Sequence, residues 1–436
     1  MVHQLEVLQH ALPSSIRRVL EELPESLDET YERILREIRN PNQEHARRLL
    51  HCLVATVRPL RVEELAEVLA IDFNSEGIPK LNPDGRWEDQ ETAMSVCSSL
   101  VIIVKDGDSR IVRFSHSSIK KFLTSNRLAE PIRDVSHYHI RHTQLEATHT
   151  ALAHACLGVL LQFDDRVDRK NIEGFALARY AAQYWTTHAR VGDASWRIKD
   201  SVECLFDTEK PYFSTWLWIY NEDRGGHSMP TIGPTKPEAV PLYYAARLGF
   251  QDLAEHLIAE YPYHVNARGG REMTPIHAAA SGGHTNILRL LQGHGADVDS
   301  RNKYGETPLH GASWSGKLDA GWCLIDLGAD VNARNEDGWT PLFHAVFHGH
   351  TEIAQMLLQS GAVFDARSVF GSTALHAAVR GGRIQTVRLL LEYGADVNAR
   401  DSRGRTPWQC KSTLGQEMVG LLTEYGAEFV KWDLFC

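Results

Sequence analysis

Thr307-Pro308-Leu309-His310 is the stretch on which the reading of this chain turns. It returns at steps of 33 residues as Thr340-Pro341-Leu342-Phe343, as Thr373-Ala374-Leu375-His376 and as Thr406-Pro407-Trp408-Gln409, and 33 residues upstream stands Thr274-Pro275-Ile276-His277. A looser copy, Val240-Pro241-Leu242-Tyr243, lies 34 residues before that. A second landmark keeps the same step: Asn266, Asp299, Asn332, Asp365 and Asn398 each sit in a V-N-A-R-like tetrapeptide. A fixed period of this length marks stacked supersecondary units, each able to cover its apolar face only against its neighbours.

Local chemistry explains the recurring residues. Thr is placed to cap a helix, accepting an orphan backbone N–H, and Pro follows in the first turn, where its missing N–H costs nothing. The next Leu or Ile enters the space between helices, and small Ala279, Ala312, Ala345 and Ala378 let neighbouring helices approach closely. Gly295, Gly328, Gly361 and Gly394 end a second helix in the left-handed conformation. Gly305, Gly338, Gly371 and Gly404 serve a tight turn. Two departures stand out. Glu272 occupies the turn-glycine position, with Gly269 and Gly270 just before it, which predicts a differently shaped loop. Gly321 falls inside a second helix and weakens it by about 1 kcal/mol relative to Ala. The last copy turns polar on one side (Lys411, Ser412, Gln416, Glu417), as a terminal, solvent-facing cap should.

These residues resemble the ankyrin repeat, a β-turn finger followed by two antiparallel helices. The resemblance covers roughly 236–430 and implies an ankyrin domain over 236–436 with about six repeats. It implies a binding surface without catalytic group or cofactor, in which the variable residues of fingers and first helices line a concave face and meet a folded protein partner. The first-helix positions are Arg247, Ser281, Trp314, Phe347 and Arg380. The finger positions include Lys303, Tyr304, Glu306, Glu336, Asp337, Trp339, Val369, Phe370, Arg403 and Arg405. Large aromatics flanked by arginine suit interface anchors, so the candidate protein-binding residues are Arg247, Tyr304, Trp314, Trp339, Phe347, Phe370, Arg380 and Arg403. Trp322 falls on the outward side of a second helix.

The first half reads as helices followed by a hairpin. Leu27, Tyr31, Ile34, Leu35 and Ile38 recur at helical spacing, a second helix runs over about 45–56, and a third carries Leu65, Val68 and Leu69. Ser99–Val104 and Arg110–His116 flank a Lys105-Asp106-Gly107-Asp108 turn, which predicts a hairpin. A helix over 117–124 follows. This outline is that of a winged helix. The strings L-P-E-S-L-D-E-T-Y-E-R-I-L, R-P-L-R-V-E-E-L-A-E-V-L and F-S-H-S-S-I-K-K-F-L resemble the winged-helix region that follows the nucleotide-binding NACHT domain of fungal STAND proteins, a module labelled after GPI inositol-deacylase. The resemblance divides the chain into a remnant of NACHT C-terminal helices (1–28), a winged-helix domain (29–130), a helical spacer and linker (131–235), and the ankyrin array. Phe213, Trp216, Leu217, Trp218 and Tyr220 are expected as interdomain core. The fold class is mostly α, a winged-helix and helical half followed by an α-solenoid.

Composition narrows the function. The chain has 436 residues, 43% hydrophobic and 23% charged, with net charge −10. Neither half is basic, and Glu63, Glu64 and Glu67 on the third helix set themselves against phosphate, so no nucleic acid is expected. Seven scattered cysteines without a C-x-x-C pair suit free thiols in a reducing compartment. The opening M-V-H-Q-L-E-V-L-Q-H predicts no secretory signal, and no apolar run approaches the ~20 residues that span a bilayer, so the expectation is a cytoplasmic protein without membrane contact.

Several stretches imitate chemical motifs. Gly311-Ala312-Ser313-Trp314-Ser315-Gly316-Lys317 imitates a phosphate loop but continues with Leu318, and it follows a helix start rather than a strand. His137, His139 and His142, with His149, His154 and Cys156, lack the paired spacing of a zinc site, and His344, His348 and His350 lie inside one repeat. Gly226-His227-Ser228-Met229-Pro230 fails the esterase G-x-S-x-G pattern. The reading is therefore a non-enzymatic protein-interaction module without metal or cofactor. The alternatives are a fragment or short paralogue of a nucleotide-gated STAND switch and a DNA-binding regulator acting through the winged helix.

Overall fold

The computed structural model describes residues 27–38, 40–71, 92–107, 109–125, 138–163, 174–191, 197–222, 237–410 and 415–428, with isolated positions between them. The expectations for residues 1–26, most of the 221–241 linker, His137, Lys411 and Ser412 lie outside these. The chain divides into two units, Met1–Thr235 and Lys236–Cys436.

In the first unit, helices α1 (Leu27–Glu37), α2 (Asn40–Ala55), α3 (Val62–Leu69) and α4 (Thr92–Ser95) precede strands β1 (Val101–Asp106) and β2 (Ser109–Phe114), and α5 (Ser118–Leu123) follows. Gly107, at φ 59°, supplies the left-handed turn of the hairpin, and the strands pair antiparallel from Val101↔Phe114 to Asp106↔Ser109. Arg61 forms an isolated antiparallel bridge with Ile111, and Val112 N–H donates to Leu60 O at 2.9 Å, which ties the start of α3 to the hairpin. The three α3 glutamates do not form a phosphate-repelling face, contrary to the sequence expectation. Glu64 is fully buried and accepts from Arg58 Nη1 and Nη2 (both 2.7 Å) and from Arg61 N–H (2.8 Å). Glu67 is buried and accepts the N–H groups of Ala176 (3.1 Å) and Leu177 (2.8 Å). Glu63 lies 3.4 Å from Arg110. Buried carboxylates survive because charged donors and backbone N–H groups replace their water.

Helices α6 (His142–Leu160), α7 (Ala178–Ala189), α8 (Lys199–Phe206) and α9 (Tyr212–Glu222) complete this unit. Trp185, Phe206, Phe213 and Trp216 interlock with ring centroids 5.1–6.3 Å apart, and Trp216 Nε1 donates to Ala182 O at 3.0 Å. The aromatic cluster expected between domains is thus core within the first unit.

The second unit repeats a helix pair: α10 (Pro241–Leu248) with α11 (Gln251–Glu260), α12 (Pro275–Gly282) with α13 (Thr285–Gly293), α14 (Pro308–Ser315) with α15 (Leu318–Asp326), α16 (Pro341–His348) with α17 (Thr351–Gln359), and α18 (Ala374–Gly381) with α19 (Ile384–Glu392). A 3-10 turn, Pro407–Cys410, and α20 (Gln416–Glu424) form the last copy. Leu242, Ile276, Leu309, Leu342 and Leu375 are each fully buried between helices.

The period is written into hydrogen bonds between neighbouring repeats. Arg268 Nη1 donates to Arg301 O (2.9 Å), Arg301 to Arg334 O (2.7 Å), Arg334 to Arg367 O, and Arg367 to Arg400 O (2.7 Å). Asn332 Nδ2 donates to Gly361 O (3.1 Å) while its Oδ1 accepts the Val363 N–H (2.8 Å), and Asn266 and Asn398 make the same pair of bonds. Successive fingers join through one backbone bond each: Lys303 N–H to Arg271 O, Glu336 to Tyr304 O, Val369 to Asp337 O and Ser402 to Phe370 O, all 2.9–3.0 Å. Thr274, Thr307 and Thr373 form capping boxes with His277, His310 and His376. Each imidazole accepts the Thr N–H at Nδ1 (3.3, 3.1 and 3.2 Å), so Nε2 carries the proton and donates it to the next finger, to Glu306 O, Trp339 O and Arg405 O at 3.0–3.1 Å. Phe343 stands at the fourth such position and cannot make this link; there Thr340 Oγ1 accepts the Phe343 N–H at 3.4 Å.

The two departures resolve differently. The Glu272 finger keeps the backbone bonds of the others, Gly269 N–H to Met273 O and Glu272 N–H to Gly269 O, both 2.9 Å, but has the different shape the sequence suggested, a 3-10 turn over Gly270–Glu272. It keeps them by holding Arg271 and Glu272 at φ 58° and 57°, a left-handed conformation that costs a non-glycine residue ~1–2 kcal/mol. Gly321, by contrast, has a packing reason: a Cβ there would lie 2.9 Å from the Met356 methyl of the next repeat.

Two measurements check this packing. Leu309→Ala should lower stability by about 2–5 kcal/mol, and an unchanged denaturation midpoint would show the register to be wrong. Asp299 stands at an Asn position and can only accept, from the Asp330 N–H at 3.1 and 3.2 Å. Asp299→Asn restores the donor aimed at Gly328 O and removes a carboxyl whose pKa burial raises. It should stabilise the array by about 0.5–1.5 kcal/mol in urea titration, whereas a loss would contradict the ladder.

Candidate protein-binding surface

The first-helix positions lie two residues beyond the buried Ala of each repeat, about 200° round the helix, which turns them away from the core. Arg247, Trp314 and Arg380 are exposed, and Ser281 and Phe347 half-buried. On the fingers Tyr304, Phe370 and Arg403 are exposed and Trp339 is half-buried. The structure brings together only part of this set. Trp339 stacks on Phe343, with centroids 4.8 Å apart and planes at 22°, and lies 6.2 Å from Phe347. Trp314, 51% exposed, leans on His348 at 4.2 Å and His344 at 5.3 Å, so imidazoles rather than arginines flank it. Trp339 also reaches His344 at 5.3 Å. Tyr304 carries Lys303 Nζ at 5.1 Å from its ring centre, and Arg403 belongs to a finger whose Asp401 accepts its N–H. No contact joins Arg247, Phe370, Arg380 or Arg403 to the Trp314–Trp339 group in the described structure.

His344 and His348 were weighed in the sequence only as metal ligands. His344 is 2% exposed, its Nε2 lies 3.4 Å from Glu306 Oε1, and neither ring nitrogen makes a hydrogen bond among the described residues. The imidazole of His344, helped by Asn302, holds the Glu306 carboxyl down at about 2 despite burial. His350 serves the frame instead, donating from Nε2 to Trp314 O at 3.0 Å as His284 does to Arg247 O at 3.2 Å. The signal for His344 was present in the sequence: Ala278, Gly311 and Ala377 occupy its place in other repeats.

The remaining motifs carry structure. His149 Nδ1 lies 2.8 Å from His188 Nδ1, His154 donates to Arg197 O at 3.1 Å and His142 sits 3.4 Å from Glu146, so these histidines face separate partners. Burial pushes the Cys156 thiol pKa upward, away from the thiolate a metal needs. Among the described residues no group of three or more His, Cys, Asp or Glu is arranged to hold a metal ion. The phosphate-loop imitation is helix α14 with Gly316, at φ 71°, ending it. Among the described residues no helix is long and apolar enough to cross a membrane.

Burial lowers the pKa of His277, His310 and His376, that of His310 from 6.5 to about 4. The unfolded chain therefore takes up protons near pH 6.5 that the folded array refuses until more acid conditions, and stability present above that pH is lost as it falls. His310 alone accounts for about 2 kcal/mol lost by pH 5. Urea midpoints at pH 7.5 and pH 5 should differ in that direction, and His310→Gln should shrink the difference; equal midpoints would refute the buried neutral imidazoles.

Comparison with known proteins agrees with this architecture. Models of ankyrin repeats match residues 242–335, 321–358 and 370–402, and the winged-helix domain of GPI inositol-deacylase matches residues 15–132. The chain is 31% identical over 296 residues to azaphilone pigments biosynthesis cluster protein L of Monascus ruber, a match covering 64% of this chain and 61% of that protein. The chain thus spans less than two thirds of that relative's length. Ankyrin repeat domain-containing protein 49 of Bos taurus is 40% identical over 57 residues, 13% of this chain and 24% of that protein. Alpha-latrocrustotoxin-Lt1a of Latrodectus tredecimguttatus is 38% identical over 61 residues, 14% of this chain and 4% of that protein. The chain is thus built from a winged-helix domain of the GPI inositol-deacylase type and an array of ankyrin repeats.

Proposed function

We propose that this protein is a recognition module that binds a folded protein partner through the first-helix and finger side of its ankyrin array, without catalysis or cofactor and in the cytoplasm. The observation that carries this is Trp314, half exposed on a first helix and sharing the His344 ring with Trp339, where a fold gains nothing from leaving an indole in water. Ankyrin arrays are protein-binding scaffolds as a class, which supports the reading. Arg247, Tyr304, Phe370, Arg380 and Arg403 would form the surrounding rim, where charge governs on-rate more than affinity. A second reading, part of a nucleotide-gated STAND-like assembly, has loose support in the likeness to the Monascus protein. Calorimetric titration with Mg-ATP tests it: micromolar binding to this chain would favour the switch.

The test of the main reading uses the full chain. Trp314→Ala with Phe347→Ala should leave helicity and melting nearly unchanged and weaken a captured partner by about 2 kcal/mol or more. Trp322→Ala, on α15, should spare binding. If the double variant unfolds, the two rings are core; if it binds normally, the partner is read elsewhere.

A further inference from the structure

One repeat departs from its neighbours at several places at once. Where His277, His310 and His376 tie a helix to the next finger, this repeat has Phe343; where Ala278, Gly311 and Ala377 stand in the inner repeats, it has His344; where Gly282, Ser315 and Gly381 stand, it has His348. The exchange replaces an inter-repeat hydrogen bond by the Phe343–Trp339 stack and leaves both ring nitrogens of the buried His344 without a hydrogen bond among the described residues. A buried polar group left unsatisfied where a local rule is broken points to a functional site. What the exchange produces is a cluster around one imidazole: indole rings of Trp314 and Trp339 each 5.3 Å from His344, and the Glu306 carboxylate 3.4 Å from its Nε2. Half of Trp314 and a quarter of the Glu306 side chain (27%) remain open to solvent. Glu306 stays ionised throughout the physiological range. The fingertip beside Trp339 adds exposed Glu336 and Asp337.

Electron-rich ring faces beside carboxylates select a cation, and a planar guanidinium can stack on an indole while forking to a carboxylate. We propose that the Glu306–Trp314–Trp339 cluster seats a basic side chain, an arginine foremost, presented by the partner polypeptide. This rests on the binding face proposed above and specifies its chemistry: the segment that docks here is basic where it meets the α14–α16 repeats.

The test labels the full chain with 5-fluorotryptophan, assigns the fluorine resonances with single Trp→Phe variants, and titrates N-acetyl-arginine amide, N-acetyl-lysine amide and the uncharged isostere N-acetyl-citrulline amide. The arginine derivative should move the Trp314 and Trp339 signals in a saturable way, binding about fivefold or more tightly than citrulline, with the advantage shrinking as salt rises. Glu306→Gln should abolish the preference. Because Glu306 Oε2 also accepts from Asn302 at 3.0 Å, Trp314→Leu serves as a second variant that leaves the finger intact and should weaken arginine binding read at Trp339. Equal response to lysine supports the site as a general cation seat. Citrulline binding as well as arginine, or Glu306→Gln and Trp314→Leu both binding arginine like the parent, would overturn the proposal. If the arginine probe fails while the Trp314/Phe347 double variant still loses its partner, the charge chemistry is wrong and the binding face stands.

Discussion

Every repeat of the array must satisfy polar backbone groups that its neighbour exposes, and this constraint fixes the rest of the second unit. The carbonyl of Arg301 is met by Arg268, that of Gly361 by Asn332 and that of Trp339 by His310, each from the preceding repeat. Hydrophobic burial between helices supplies most of the attraction, but it tolerates sliding. Directional bonds do not, because a shift of one residue would break the exposed arginine and asparagine bonds and leave the part-buried histidine links unmatched, the latter at a desolvation cost. The ladder of arginines, asparagines and histidines thus sets the register, and the leucines fill the space that the register defines. Stability in such an array is a sum over neighbours, so one altered link weakens one junction without dissolving the fold.

That modularity is what leaves room for a binding surface. The framework uses one end of the first helix, the base of the finger and the loop after the second helix. On the outward turn of the first helix the frame uses the backbone and leaves the side chains out of its bonds, which is why Arg247, Trp314 and Arg380 can differ in chemistry while Leu242, Leu309 and Leu375 cannot. The α16 repeat goes further and spends a framework position, Phe343 for histidine, on the stacking of Trp339.

The first unit solves a different problem with the same currency. Its winged-helix elements and the helices after them share buried charge: Glu67 on α3 caps the start of α7, and Glu64 holds Arg58 and Arg61. Lys120 on α5 donates to Val54 O at the end of α2 at 2.9 Å. These ties make the spacer helices part of the packing of the winged helix rather than a passive tether.

The sequence by itself determined the array, because period, cap, core leucine and turn glycine are all local signals repeated at a fixed step. It also gave the hairpin, through two β-branched runs around Asp106-Gly107. It placed the candidate residues by analogy of position, which is enough to say which ones leave the core. It could not say which of them meet, because ring contacts depend on how adjacent repeats are set against each other. Only the tertiary structure gathered Trp314, Trp339 and Glu306 around His344 and left Arg403 with its own finger. Charge was misread for the same reason. In the sequence Glu63, Glu64 and Glu67 are three like charges on one short helix, yet two of them are buried, Glu64 against the nearby Arg58 and Arg61 and Glu67 against the backbone N–H groups of Ala176 and Leu177. A carboxylate's role is set by what replaces its water, and for Glu67 that is backbone 109 and 110 positions further along the chain.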